Sequence, residues 1–340
     1  MKILLIGNGF DLAHNLPTTY NNFLDVCDGI VREHSPNPSV NKIYIEFCEN
    51  TENSIYEIFK QKVIINAWII HFIKKRRELG DSWGDFESEI EYVNRIILNE
   101  KDKSKSDRYE TIGSISDLSR TVREKIGRKP LTYKMFFDCL FSELNDLIDA
   151  LNIYFSCFIA KKHVDKVDAV SRLNVDRLIS FNYTTTYTDN YDIFDKPDFK
   201  YCYIHGQAKS IGSGILNNIV LGFDDHYLES GRAVIETVPF EKYYQRIIKQ
   251  TDITYLDWIE NINEKKESSI LYIYGHSLTP SDGDILKKLL TCEYIITVVF
   301  YRDESDRAKK VANLAVVLGP ETLIKLAGET NPHISFQKIE

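Results

Sequence analysis

The chain has 340 residues, 43% hydrophobic and 12% aromatic, and is therefore long enough to bury a substantial core. Its 50 acidic and 42 basic residues give a formal net charge of −8, which argues against nucleic acid as a main partner. The six cysteines form neither a CxxC pair nor a Cys/His metal-ligand spacing, and the apolar runs are too short for a signal peptide or a membrane span. We therefore expect a cytoplasmic protein with reduced thiols, no metal and no membrane contact.

The first predicted element is a strand at residues 2–6, KILLI, which lacks polar alternation and is typical of a parallel strand covered on both faces. Gly7 and Gly9 follow it, and a glycine turn between a strand and a helix leaves room for a phosphate group beside the backbone. A strand-to-helix turn without a ligand is the alternative. Asp11 either caps the helix, which we favour, or contacts a ribose hydroxyl. Leu12 stands where a dinucleotide-dependent dehydrogenase has its third glycine, so hydride transfer is not expected.

Helical spacing of apolar residues prevails over residues 43–173, except in the polar stretch 99–130, for which we expect a mobile loop or a poorly packed hairpin. Strand and helix patterns then alternate to the end of the chain. This order predicts an α/β fold, a Rossmann-like, doubly wound and mainly parallel sheet with a large all-helical insertion after the first strand. The expected bounds are 1–40 and 174–340 for a nucleotide-binding core and 41–173 for the insertion. The later predicted strands lie in DRLISFNY, FKYCYIHG, NNIVLGFDD, SSILYIYGHS, EYIITVVFYRD and HISFQKI.

Candidate functional residues follow four of the predicted strands. Since parallel strands end at one edge of a sheet, their side chains would line a polar crevice there. Each residue also has a purely structural interpretation: Asn182 could cap a helix, His205 could be a core histidine, and Ser277 could belong to a turn. The candidates are Gly7, Asn8, Gly9, Phe10 and Asp11 after the first strand, Asn182 and Thr184 after the second, His205 after the third, and Gly275, His276 and Ser277 after the fourth.

Six segments of the chain, taken in order, resemble the successive motifs of the bacteriophage abortive-infection AbiH family. The resemblance runs from Ile3 to about Leu290, and it implies a role in phage defence inside the bacterial cell. The segments are GNGFDLAHNLPTTYNNFL, SWGDFESEI, ISFNYTTTY, YIHG, VPFEKYYQRI and YGHSLTPSDGDIL.

A more distant resemblance is to sirtuin-type NAD-consuming domains. Asn15, Thr18 and Thr184 depart from that pattern, replacing a glycine, an acid and an aspartate, respectively. Zinc-binding cysteine pairs are missing as well, so the resemblance does not extend to protein deacylation. The positions that match are Gly7, Gly9, Leu16 and Pro17 in the first corner, Asn182, His205 and Gly206 at later strand ends, and Gly275, Ser277 and Leu278 in the last corner.

The two resemblances together imply an abortive-infection effector that hydrolyses NAD at the nicotinamide–ribose bond. Asn182 and His205 are the expected catalytic residues, with side chains facing a solvent-filled crevice. A non-catalytic sensor of NAD or an ADP-ribose derivative is the alternative, and a nuclease effector is a third. Control by a homo-oligomer, or by a phage-derived or defence-system protein, is expected. The residues expected to hold NAD are Gly7, Asn8, Gly9, Phe10, Asp11, Pro17, Thr184, Gly275, His276 and Ser277.

Trp83, Asp85 and Glu87 lie in a family-like motif inside the predicted insertion. They are either a contact between a lid and the nucleotide or a packed tryptophan with surface carboxylates. Asp85 and Glu87 are two residues apart, so on a helix they would not share a face.

Overall fold

The computed structural model describes residues 1–33, 41–80, 83–104, 106–127, 130–191, 193, 196–212, 217–224, 235–328 and 332–339. Residues in contact group into two compact units. The sheet unit comprises Met1–Leu16, Lys162–Gln207 and Thr251–Glu340, and the helical unit comprises Pro17–Lys161 and Ala208–Gln250. These units do not coincide with the predicted bounds, because the helical unit begins at Pro17 and also takes in the segment 208–250.

Within the described residues, regular structure consists of six strands and a larger number of helices, numbered in chain order. The strands are β1 (Lys2–Ile6), β2 (Arg177–Ser180), β3 (Lys200–Tyr203), β4 (Ser269–Tyr274), β5 (Ile295–Tyr301) and β6 (Ile334–Lys338). The α-helices are α1 (Asn8–Ala13), α2 (Tyr20–Val31), α3 (Lys42–Asn50), α4 (Asn53–Val63), α5 (Ala67–Leu79), α6 (Phe86–Lys103), α7 (Ser116–Ile126), α8 (Tyr133–Ile153), α9 (Asp168–Ser171), α10 (Thr186–Asn190), α11 (Lys242–Ile248), α12 (Tyr255–Lys265), α13 (Gly283–Leu290), α14 (Glu304–Leu318) and α15 (Pro320–Ala327).

Strand β1 is covered on both faces, as its unbroken apolar sequence predicts. Ile3 and Leu5 belong to one buried cluster, which also contains residues of α12, α13 and α14. Leu4 and Ile6 point to the opposite face and pack in a second buried cluster. The alternation of side chains along a strand therefore places successive residues in two different cores.

The six strands form one sheet in the order β3-β2-β1-β4-β5-β6, and every neighbouring pair is parallel. This is the 3-2-1-4-5-6 order of doubly wound sheets, so the predicted fold class is confirmed. The chain builds the sheet outward from β1 in one direction and then returns to add β4 on its other side. A topological switch point therefore lies between β1 and β4, the place where open α/β sheets bind ligands.

Two predictions of local structure are wrong. The described part of NNIVLGFDD, residues 217–224, contains no strand, although Leu221 is fully buried. Instead of a neighbouring strand, the side chain of Gln245 satisfies the backbone of Leu221, accepting from its N–H at 3.1 Å and donating to its carbonyl at 2.8 Å. The stretch 99–130 contains the end of α6 and all of α7, whose Leu118 and Val122 are buried. Residues 105, 128 and 129 of that stretch lie outside the described residues.

The six cysteines are free, and four of them are buried, as expected for reduced thiols used as small apolar side chains. Among the helices that the structure describes, none is both long and apolar enough to cross a membrane.

Candidate active site

The first four strands bring the predicted candidates to one edge of the sheet. Strands β3, β2, β1 and β4 are consecutive neighbours and parallel, so their carboxyl ends are adjacent. Asn182 follows β2, His205 follows β3, and His276 follows β4. The polar strand ends that are separate in the sequence thus meet beside the switch point.

The glycine corner after β1 is closed by backbone from β4. The Gly9 N–H donates to the Gly275 carbonyl oxygen at 2.7 Å, and a Cβ at Gly9 would lie 2.7 Å from that same oxygen. Gly275 has φ +70°, and its own added Cβ would lie 2.1 Å from the Phe10 nitrogen. Gly9 is therefore required for close packing against Gly275, and this packing by itself accounts for a glycine at this position. A contact of Gly7 or Gly9 with a nucleotide stays a prediction.

Asn182 links β2 to the glycine corner. Its side-chain amide donates to the Gly7 carbonyl oxygen at 3.1 Å, and its own N–H donates to the Ser180 hydroxyl at 3.1 Å. Asn182 does not cap the following helix, whose N-cap position is held by Thr185. Asn182 is only 5% exposed, so its side chain does not face a solvent-filled crevice as predicted.

Asp11 is a buried carboxylate at the same edge. It lies inside α1, and Gly7 occupies the N-cap position, so the prediction that Asp11 caps the helix is wrong. Its Oδ2 accepts from the Thr184 hydroxyl at 2.6 Å, and Thr186 donates to Thr184 at 3.1 Å. Burial raises the pKa of Asp11 from 3.8 to about 6, against an opposing effect of the Thr184 hydrogen bond. A buried acid with a pKa near neutrality is characteristic of functional sites.

His205 is paired with a carboxylate that the sequence analysis did not single out. The Nε2 atom of His205 lies 2.9 Å from Asp282 Oδ1, and His205 is 6% exposed. This burial agrees with the core-histidine interpretation and contradicts the predicted solvent-filled crevice. The pairing with Asp282 is the arrangement that orients an imidazole in acid–base catalysis.

His276, which follows β4, contacts the same carboxylate. Its Nε2 lies 3.5 Å from Asp282 Oδ2, and its Nδ1 accepts from the Leu278 N–H at 2.9 Å. Because Nδ1 is an acceptor, the proton of a neutral His276 is on Nε2 and faces Asp282. The backbone of His276 is held as well, since the buried Lys310 donates to its carbonyl oxygen at 2.7 Å. Within the described ranges, no group of three His, Cys, Asp or Glu side chains is arranged to hold a metal ion.

The other predicted ligand contacts differ in their surroundings. Phe10 is fully buried in the second core cluster, against Tyr187 and Tyr191, and this packing accounts for it. Asn8 and Ser277 are exposed. Pro17 belongs to the helical unit, where its carbonyl oxygen accepts from the Tyr154 hydroxyl at 2.7 Å.

A comparison with family models matches the chain over residues 3–301 to the family described as bacteriophage abortive infection AbiH. The chain belongs to the AbiH family. The match supports a role in abortive infection of phage-infected cells, and hence in antiviral defence. No curated protein and no solved structure matches this AbiH protein, so the comparisons give no support to the resemblance to sirtuin-type domains.

Two of the AbiH-like segments meet in the helical unit. Asp85 caps α6 by accepting from the Ser88 N–H at 2.9 Å. Glu87, in the first turn of α6, lies 2.7 Å from the Nζ atom of Lys242, which is 1% exposed. The ring of Trp83 packs against Phe72. These contacts give all three motif residues a structural role within this unit.

Asp282 is the principal site residue of this AbiH protein that sequence reasoning missed. It stands six positions after His276 in YGHSLTPSDGDIL, immediately before α13. An aspartate there reads as a helix cap. The sequence could have indicated Asp282 through its place in an AbiH-like segment that follows a parallel strand. That placement does not show that His205 is its hydrogen-bond partner.

Proposed function

We propose that this AbiH protein is an abortive-infection effector that hydrolyses NAD at the nicotinamide–ribose bond. The observation that supports this function is the position of Asn182 and His205 at the ends of neighbouring parallel strands, beside the switch point of a 3-2-1-4-5-6 sheet. Dinucleotides bind at this place in doubly wound sheets. An amide, an oriented imidazole and a buried carboxylate there can position and deprotonate a nucleophile.

Cleavage of the nicotinamide–ribose bond needs little acid catalysis of nicotinamide departure. Nicotinamide departs neutral, and the ribose develops positive charge, as in other glycosidic cleavages. The protein has to orient a water molecule and accept its proton. The imidazole of His205 can take the proton of the water, and Asn182 can orient a ribose hydroxyl or the water.

We assign contacts with NAD according to how exposed each strand-end residue is to solvent. Asn8 and Ser277 are exposed residues that follow β1 and β4, on the two sides of the switch point. We assign them to the phosphates or riboses of NAD. Asp11 and Thr184 lie deeper, and we assign them to positioning Asn182 and the reacting ribose.

The burial of both catalytic candidates fits an effector that stays silent until infection. Asn182 is 5% and His205 is 6% exposed, so substrate reaches them only after the strand-end loops open locally. Binding of a trigger to the open form would shift this equilibrium.

The direct test measures nicotinamide release from NAD by purified protein, alone and with lysate from phage-infected cells. We expect release by the wild type when that lysate is present, and a loss of at least about 100-fold in Asn182→Ala and His205→Ala, as for removal of a catalytic acid–base or positioning group. His163→Ala is the matched control, because that histidine side chain is 88% exposed. Thermal melts of each variant separate loss of chemistry from loss of fold.

A second arm follows infected cells that carry the protein. Intracellular NAD should fall before lysis with the wild type and stay constant with His205→Ala, and phage protection should be lost together with the NAD decline. Protection without any fall in NAD would overturn the proposal. Tight NAD binding without cleavage in either arm would establish the sensor function instead.

A further inference from the structure

Asp282 contacts two histidines that follow different strands of the sheet, His205 after β3 and His276 after β4. Its Oδ1 lies 2.9 Å from His205 Nε2, and its Oδ2 lies 3.5 Å from His276 Nε2. All three residues are at most 6% exposed. The ring of Phe181 packs against both imidazoles, with centroid distances of 5.3 Å to His205 and 4.4 Å to His276. The side chains are therefore held in one buried arrangement.

The Asp282 carboxylate contacts the two histidines and does not cap the helix that follows it. Asp282 occupies the N-cap position of α13, yet its side chain makes no capping hydrogen bond. An aspartate at this position normally stabilises the helix by accepting from the free N–H groups of its first turn. A residue type that normally caps has thus turned away from its own helix toward the histidines, and residue 205 lies 77 positions away in the sequence.

We propose that Asp282 is the positioning residue of His205, a role that rests on the proposed function of the site. A carboxylate only accepts hydrogen bonds, so His205 must carry its proton on Nε2. The lone pair is then on Nδ1, which is the atom that takes a proton from the attacking water. Asp282 also stabilises the imidazolium that forms, as the orienting acid does in catalytic triads.

His276 completes the arrangement by occupying the second carboxylate oxygen. The Leu278 N–H donates to His276 Nδ1, which fixes the proton of that ring on Nε2, toward Asp282. With one histidine on each oxygen, the carboxylate is held in a single orientation.

The proton balance of the reaction is simple. The C–N bond between ribose and nicotinamide breaks, and its electron pair leaves with nicotinamide. A water oxygen forms the new bond to the ribose carbon. One water proton passes to Nδ1 of His205 and from there to solvent, which leaves ADP-ribose, nicotinamide and a released proton.

The tautomer is measured directly by NMR of the full-length protein with ¹⁵N-labelled histidine. The wild type is expected to show His205 with its proton on Nε2, in the absence of any NAD. Asp282→Asn should lose this preference, because an amide can present a donor to Nε2 and favour the other tautomer. A wild-type protein with the His205 proton on Nδ1 would overturn the proposal, whether or not it cleaves NAD.

The kinetic arm compares three variants in nicotinamide release. Asp282→Asn is expected to lower kcat by at least about 100-fold with KM changed less than about threefold, since a wrong tautomer affects the transition state more than binding. Asp282→Glu should keep the tautomer and recover part of kcat. Asp284→Asn is the matched control, because Asp284 lies two positions further on and is exposed.

Each result has a distinct meaning. An Asp282→Asn protein that keeps the Nε2 tautomer and the wild-type kcat contradicts the positioning role, and so does an equal loss in Asp284→Asn. If Asp282→Asn does not fold, the His205 tautomer of the wild type and the kcat of Asp282→Glu still test the positioning role. A wild type that releases no nicotinamide even with lysate from phage-infected cells refutes the proposed function alone, because the tautomer is measured independently of it.

Discussion

Substitution of Asp11 by asparagine should stabilise the protein at neutral pH. Asp11 is 1% exposed, and its Oδ1 has no hydrogen-bond partner among the residues that the structure describes. Burial raises its pKa to about 6, so at pH 7.5 the folded protein must hold a poorly solvated carboxylate. Asparagine keeps the shape and retains an oxygen that can accept from Thr184.

The magnitude follows from the difference between the two pKa values. The folded-state value of about 6 lies roughly two units above the ordinary value of 3.8, and each unit corresponds to about 1.4 kcal/mol. Ionisation of Asp11 therefore costs about 3 kcal/mol of folding free energy at pH 7.5. Asparagine places an amide nitrogen where Oδ1 lacked a partner, which offsets part of the gain, so we expect a net stabilisation of about 1–3 kcal/mol.

The pH dependence gives the sign of the effect. Below pH 3.8 Asp11 is protonated in both the folded and unfolded states, so its ionisation does not lower the stability of the fold. Between about pH 4 and 6 only the unfolded state ionises, so wild-type stability falls as pH rises. Above pH 6 the loss is complete. The difference in Tm between Asp11→Asn and wild type should therefore be small near pH 4 and grow to a plateau above pH 6.

Scanning calorimetry between pH 4 and 8 measures this difference, with a plateau of about 3–10 °C expected for a unit of this size. Asp165→Asn is the control, because that side chain is 97% exposed and should shift Tm equally little at every pH. A variant that is less stable than wild type at pH 7.5 would refute the reasoning, since it would show that the hydrogen bond from Thr184 outweighs the cost of burial. A more stable but inactive Asp11→Asn would identify a carboxylate retained for function.

Two further substitutions test packing and charge. Gly9→Ala should cost about 1–3 kcal/mol in thermal or urea unfolding, because the new Cβ would meet the Gly275 backbone at 2.7 Å. Gly113→Ala should be neutral, because a Cβ there would meet no other described part of the chain within 4 Å. Equal stability of both variants would contradict the packing. Glu87→Gln should cost on the order of 2 kcal/mol, because it weakens the compensation of a lysine charge at Lys242 that is 1% exposed. An unchanged urea midpoint for Glu87→Gln would show that the other contacts of Lys242 suffice.

The local patterns of the sequence determined the class of the fold and the position of most candidates. The unbroken apolar run of β1 and the later strand patterns sufficed to predict a parallel sheet, because burial on both faces requires apolar residues at successive positions. Asn182 and His205 were identified as candidates because each follows one of these apolar strand patterns. The segment 217–224 was misassigned because its apolar residues are buried in the helical unit, while a glutamine side chain satisfies the backbone of Leu221.

Only the tertiary structure decided what the candidate residues contact. The hydrogen bond between Thr184 and Asp11 joins residues 173 positions apart, and Asp282 reaches His205 across 77 positions. Periodicity and turn chemistry act over a few residues, so they place a side chain at an edge without specifying its partner. Gly9 and Gly275 likewise approach each other because the strands that they follow, β1 and β4, are neighbours in the sheet. The surroundings of Asp11 and the tautomer of His205 depend on such long-range pairs. The strand order of the sheet brings the members of each pair together.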